Sequence, residues 1–98
     1  MVVALVLLDL HLAQVGSLKG KRAVIRPLIA RLRKELSVSV AEVDHQDLWQ
    51  RCGLGVAIAA SSEVGARKVA QDVEKIVNRE PRVELLSLHV EVVRPELE

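Results

Sequence analysis

Residues 2–12 constrain the fold most tightly. One parity reads Ala4, Val6, Leu8, Leu10, Leu12; the other reads Val3, Leu5, Leu7 and turns polar at Asp9 and His11. Alternation with a period of two marks a β-strand. A strand that is apolar on both faces over half its length must be central in its sheet or covered by a partner. The later strands therefore have to return along both of its sides.

The rest of the chain supplies them. Gln14-Val15-Gly16 is a turn, and the Ser17 hydroxyl can accept from a free N–H of a first helical turn. A helix follows to Leu36, with Leu18, Ile25, Leu28, Ile29, Leu32 and Leu36 inside roughly a 100° arc. Pro27 lacks an N–H and clashes with the carbonyl of Ala23, so a kink or a late helix start is expected. Residues 37–46 read as a second strand whose apolar parity changes between Ala41 and Val43, as a bulge near 41–42 would produce. A loop or short helical turn covers Asp47 to Arg51. Gly53 to Ser61 is a third strand, with Leu54, Val56, Ile58 and Ala60 inward and Gly55, Ala57 and Ala59 outward. Ser61 or Ser62 caps a second helix that ends near Asn78, before Pro81. Its buried face is Ala66, Val69, Ala70, Val73, Ile76 and Val77. Residues 82–93 form a fourth strand, with Leu86, Leu88, Val90 and Val92 on one face and Ser87, His89 and Glu91 on the other. Residues 94–98 are expected to fray.

The order β-α-β-β-α-β is the split βαβ pattern of the α+β class. Right-handed crossovers put both helices on one face of a four-stranded antiparallel sheet of order 4-1-3-2 and leave the other face open. The 98 residues suit a single domain spanning 1–98. Without Phe or Tyr the core must be aliphatic, and the lone Trp49 either seals the edge of that core or contacts a partner. One Cys excludes an intrachain disulfide, which fits a cytoplasmic location. Residues 1–8 lack the basic start and cleavage site of a secretion signal and are too short to span a bilayer, so no membrane association is expected.

A net charge of +1 hides an uneven distribution. Residues 17–36 hold seven Lys or Arg against one Glu. Lys19, Arg22, Arg26 and Arg33 lie within about 60° of one another on the first helix. Such a stripe can follow a phosphate backbone, with Lys21 added near the helix start, or it can be a solvated face. No aromatic lies near it for base stacking, so neither single-strand sequence reading nor DNA sequence reading is expected. Gly16-Ser17-Leu18-Lys19-Gly20-Lys21 opens a helix as a phosphate loop would. It has one residue too few between its glycines, and Arg22 stands where Ser or Thr must reach Mg²⁺, which argues against nucleotide hydrolysis.

The densest chemistry is the run from Val40 to Cys52. Asp44, His45 and Asp47 are candidates for acid–base or small-ligand work, but neighbours on a strand point to opposite faces. His11 and His89 fall on other strands, so no metal set, catalytic set or cofactor is expected. Cys52 has no evident His partner and reads as a buried thiol. On the open face Val3, Leu5, Leu7, Val43, Ala57 and Ala59 would make an apolar patch, which points to a homo-oligomer through that face or through an edge strand.

The run Val38-Ser39-Val40-Ala41-Glu42-Val43-Asp44-His45-Gln46-Asp47-Leu48-Trp49-Gln50-Arg51, with Ser17-Leu18-Lys19 and Lys21-Arg22, resembles the DUF503 (YlxP-like) family of small bacterial proteins. Gly20 departs from the acidic residue common at that position. The resemblance implies a ferredoxin-like fold and brings no established activity. Genes of such proteins often neighbour translation and ribosome-maturation genes, which implies RNA or the ribosome as a partner.

Three functional readings follow. One is an RNA- or ribosome-associated module using Lys19, Lys21, Arg22, Arg26 and Arg33. Another is a protein-interaction or homo-oligomeric assembly module using Trp49, Leu5 and Leu7. The last is an enzyme or small-ligand binder at Asp44, His45 and Asp47.

Overall fold

The computed structural model describes residues 1–95. In chain order the elements are β1 (Val2–His11), α1 (Leu18–Glu35), β2 (Ser39–Asp44), β3 (Arg51–Ala60), α2 (Glu63–Asn78) and β4 (Glu84–Val93). The strands form one antiparallel sheet of order β2-β3-β1-β4, with both helices on one side. This is the ferredoxin-like βαββαβ arrangement expected from the alternation of periods.

The core lies between the helices and one sheet face. Ala4, Val6, Leu8 and Leu10 of β1 and Cys52, Leu54, Val56 and Ile58 of β3 meet Ile25, Leu28 and Leu32 of α1 and Val73, Ile76 and Val77 of α2. Removing each Leu or Ile side chain from water contributes roughly 1.5–3 kcal/mol. Both helices start at a serine: Ser17 Oγ accepts from the Gly20 N–H at 3.0 Å, and Ser62 Oγ from the Gly65 N–H at 3.1 Å.

Several local expectations are corrected. α1 starts at Leu18 and continues through Pro27, so the late start does not occur. The ring projects to solvent on the outer side of the helix. α1 is also rolled relative to its apolar arc: Val24 is buried and Leu18 is exposed. The irregularity in β2 falls between Glu42 and Asp44, one residue beyond the expected bulge. A second irregularity sets Asp9 opposite Ser87 but Leu10 opposite Leu85. Leu85 therefore turns toward the core and Leu86 toward solvent, the reverse of strict alternation. Of the expected fray, Arg94 is docked, its Nη2 donating to Glu63 Oε1 at 2.6 Å; residues 96–98 lie outside the described chain.

Candidate functional site

Three places on the molecule carry candidate residues. The first is the end of the sheet where β1 and β2 finish and β3 begins. β2 stops at Asp44, and His45 takes a left-handed conformation with φ of 60°. Such a φ is uncommon outside glycine, and it turns the chain abruptly. Strand geometry would have sent Asp44 and His45 to opposite faces. The turn instead brings His45 Nε2 to 3.8 Å from Asp44 Oδ2, while the His45 N–H donates to Asp44 Oδ1 at 2.8 Å.

Two residues absent from the sequence candidates join them. Asp9 Oδ1 is 3.7 Å from His45 Nε2, and Arg51 Nη2 is 3.4 Å from the same nitrogen. Arg51 grips the Asp9 carboxylate with two donors, Nε reaching Oδ1 at 3.3 Å. Register explains the meeting: Asp9 pairs with Gly53 on β3, and Gly53 pairs with Asp44 on β2. A Cβ on Gly53 would fall 2.7 Å from Asp44 Cβ, so only glycine lets β2 approach this closely. Asp47 makes no hydrogen bond or ion pair with the group among the described residues. His11 and His89 do not join it either: His11 Nδ1 is 3.6 Å from Glu84 Oε1, and His89 stands opposite Leu7. No three His, Cys, Asp or Glu side chains are placed to hold a metal ion among the described residues. The group is an ion pair with an imidazole at its edge. Arg51 already occupies the Asp9 carboxylate that would otherwise act as a base.

The second place is the seam between α1 and the turn after β2. Lys21 was a candidate phosphate contact, yet it is only 3% exposed. It precedes Ile25, Leu28 and Leu32 by four, seven and eleven positions, so it falls on the core face of the helix. Its Nζ donates to the carbonyls of His45 and Leu48, each at 2.8 Å, and lies 2.7 Å from Glu42 Oε2. Two of the ammonium donors go to backbone carbonyls, and Glu42 supplies the countercharge. Lys21 thus fastens the 45–48 turn to α1. Gln50 adds a second tie, its Nε2 donating to the Val15 carbonyl at 3.2 Å. Held by its backbone, the turn leaves Trp49 52% exposed beside exposed Leu48. Trp49 therefore does not seal the core. Beneath the seam, burial first and Glu42 second push the Cys52 thiol up to about 12, so it stays protonated and unreactive at neutral pH.

The remaining stripe residues face outward. Arg22 and Arg26 flank a groove between α1 and β2 that also includes Leu18, Ile29, Glu42 and Gln46. Lys19 continues the line on the outer side with Ala23 and Pro27. Arg33 differs, because its Nη2 donates to the Val40 carbonyl at 2.6 Å.

The third place is the open sheet face. Leu5 and Leu7 are exposed there, and a trough of about 350 Å³ runs between them and Ala41 and Val43 of β2. Its floor is β3, where Gly55 and Ala57 present almost no side chain. A Cβ on Gly55 would lie 3.0 Å from Val43 Cγ1, so the glycine lets Val43 lean over the trough. His89 and Glu91 form its far rim.

Comparison with known proteins agrees with the fold. The chain is 39% identical over 69 residues, 70% of its length and 75% of the relative's, to the uncharacterized protein YlxP of Bacillus subtilis (strain 168). A de novo designed protein with a ferredoxin fold, solved by solution NMR, superposes with a TM-score of 0.52 at 14% identity, covering 100% of this chain and 89% of that one. At that identity the likeness speaks for the fold alone. The family model described as "Protein of unknown function (DUF503)" matches residues 3–90, and the chain belongs to that family.

Proposed function

We propose that this protein is a binding module that docks on RNA, free or within a ribonucleoprotein, through the outer face of α1. The observation that carries the reading is an imbalance of charge. α1 holds seven Lys or Arg against one Glu, whereas α2 holds three Lys or Arg against three Asp or Glu. Lys19, Arg22 and Arg26 of α1 are exposed and have no ion-pair partner among the described residues. α1 also has no acidic residue in its first turn and basic Arg33 and Lys34 in its last. Unneutralised cations on one helix face are the electrostatic footprint of a phosphate-binding surface.

Lys21 is spent on the 45–48 turn and Arg33 on the Val40 carbonyl, so three phosphate contacts remain rather than five. Three contacts to single-stranded RNA correspond to a log–log salt dependence with a slope of about −2. Fluorescence anisotropy with a labelled RNA across a salt series measures it. Arg22→Glu with Arg26→Glu is expected to abolish binding. A salt-independent affinity, or no binding at low salt, overturns the reading.

A second reading, a protein-assembly module, is favoured by the exposed Leu5, Leu7, Val43 and Trp49. Its partner would bind independently of salt and be lost in Trp49→Ala or Leu7→Ser, with the domain still folded.

A further inference from the structure

The two edges of the sheet are built differently. β2 is short and irregular after Glu42, and side chains occupy its backbone acceptors. Arg33 donates to the Val40 carbonyl at 2.6 Å, and Gln46 Nε2 donates to the Glu42 carbonyl at 3.3 Å. A bulge and side-chain caps are the means by which natural sheets keep an edge from pairing with another chain. β4 has ten residues, and from Ser87 to Val93 it pairs with β1 without interruption. Among the described residues, no side chain hydrogen-bonds to its backbone.

β4 is also the one described strand with no buried residue. Leu88, Val90 and Val92 point toward the helix layer yet remain half-buried. Their β1 partners Leu8, Val6 and Ala4 are at most 2% exposed. A groove of about 200 Å³, lined by Arg67, Ala70, Gln71 and Glu74 of α2, lies open over Leu88 and Val90. An uncapped apolar edge beside an open groove is a template for one more strand.

We infer that β4 pairs antiparallel with β4 of a second copy of this chain, about a twofold axis through Val90, to form a continuous eight-stranded sheet. Complementarity of an imidazole N–H donor to a carboxylate acceptor selects both the occupant and the register. With the axis at Val90, His89 faces the partner's Glu91 and Glu91 faces the partner's His89 on the open side. On the helix side Leu88 faces the partner's Val92. An axis at Glu91 would set two carboxylates face to face, and an axis at His89 two imidazoles. The Val90 register spans Ser87 to Val93, the stretch of β4 that is regular. A twofold contact uses the same patch on both copies, as a strand opposite itself requires. This pairing does not depend on how α1 is used.

Sedimentation equilibrium and disulfide trapping test it. The wild-type chain is expected to dimerise in the micromolar range. Opposed Cα atoms in an antiparallel pair lie about 4.5–5.5 Å apart, within reach of a disulfide. Val90→Cys should therefore give a covalent dimer on mild oxidation, and Val64→Cys, exposed on α2, should not. The buried Cys52 does not compete. His89→Glu should weaken the dimer about tenfold, because two carboxylates then oppose each other at two symmetric positions, and Glu91→Lys should weaken it by removing the carboxylate that faces His89. The double variant His89→Glu with Glu91→Lys should restore it, and circular dichroism of each variant confirms folding. A monomer at about 100 µM overturns the inference. So does a Val90→Cys yield no higher than that of Val64→Cys. A dimer lost in Leu7→Ser but untouched by either single charge change would place the contact on the open face instead and overturn it as well.

Discussion

Along β1, Ala4, Val6, Leu8 and Leu10 are at most 2% exposed, while Leu5 and Leu7 on the same strand are 39% and 52% exposed. The residue types are alike and the positions adjacent. What differs is the covering layer. Two helices sit on one face of the sheet, and none of the described residues covers the other. Hydrophobicity sets which side chains gain from burial, and topology decides which obtain it. The apolar residues of the open face contribute little to the stability of the isolated chain and remain available to a partner.

That contrast can be tested from its strong side to its weak side. Leu54→Ala empties a fully buried site in the core and should cost about 3–4 kcal/mol, seen as a lower denaturant midpoint at unchanged slope. Lys21→Met should cost about 3 kcal/mol, because it leaves Glu42 without its countercharge and two carbonyls without their donor. It should also speed amide exchange at Leu48, whose N–H donates to His45 within the turn. Adding Glu42→Leu should recover most of that loss. If it does not, the buried pair is not what holds the turn.

Glu80 gives a pH-dependent version of the same test. It is buried beyond the end of α2, where it accepts from the Arg82 N–H at 2.9 Å and from the Arg82 guanidinium at 2.7 Å and 3.0 Å. These bonds pull its carboxyl down from an ordinary 4.5 to about 2. A depressed carboxylate stabilises the fold above its unfolded pKa, and that stability is lost as pH falls from about 4.5 to about 2. Glu80→Gln should cost about 2 kcal/mol at neutral pH and flatten the stability profile within that window. The smallest effect belongs to the open face. Leu7→Ser should change monomer stability by no more than about 0.5 kcal/mol. A loss as large as that of Leu54→Ala would mean the open face is not open.

Much of this was legible in the residues. The alternation in 2–12 marks β1 as central, and Ser17 and the pair Ser61-Ser62 mark both helix starts. Lys21 was also legible. It shares a face with Ile25 and Leu28, and its charge alone suggested a surface role. The group at the end of the sheet was not legible. Asp9 is 35 residues from Asp44 and 42 from Arg51, and nothing local announces that a single left-handed residue at His45 folds them together. Trp49 could be read either way, because exposure at a turn depends on what fastens that turn, here a lysine from a helix 27 residues earlier in the chain.

The sequence by itself determined the order of elements, the faces of β1, β3 and α2, the antiparallel topology and the aliphatic core. Periodicity and capping act over a few residues, and the handedness of crossovers is a general rule for L-amino-acid chains that needs no particular side-chain contact. Tertiary structure alone decided where the strands slip register, that Leu85 rather than Leu86 turns inward, which groups receive the Lys21 ammonium, and that Asp9, Asp44, His45 and Arg51 meet. Polar contacts need their partners aligned to within a fraction of an ångström, and that alignment arises only when distant segments pack. The same packing guards one edge of the sheet with Arg33 and Gln46 and leaves the other, β4, without a cap.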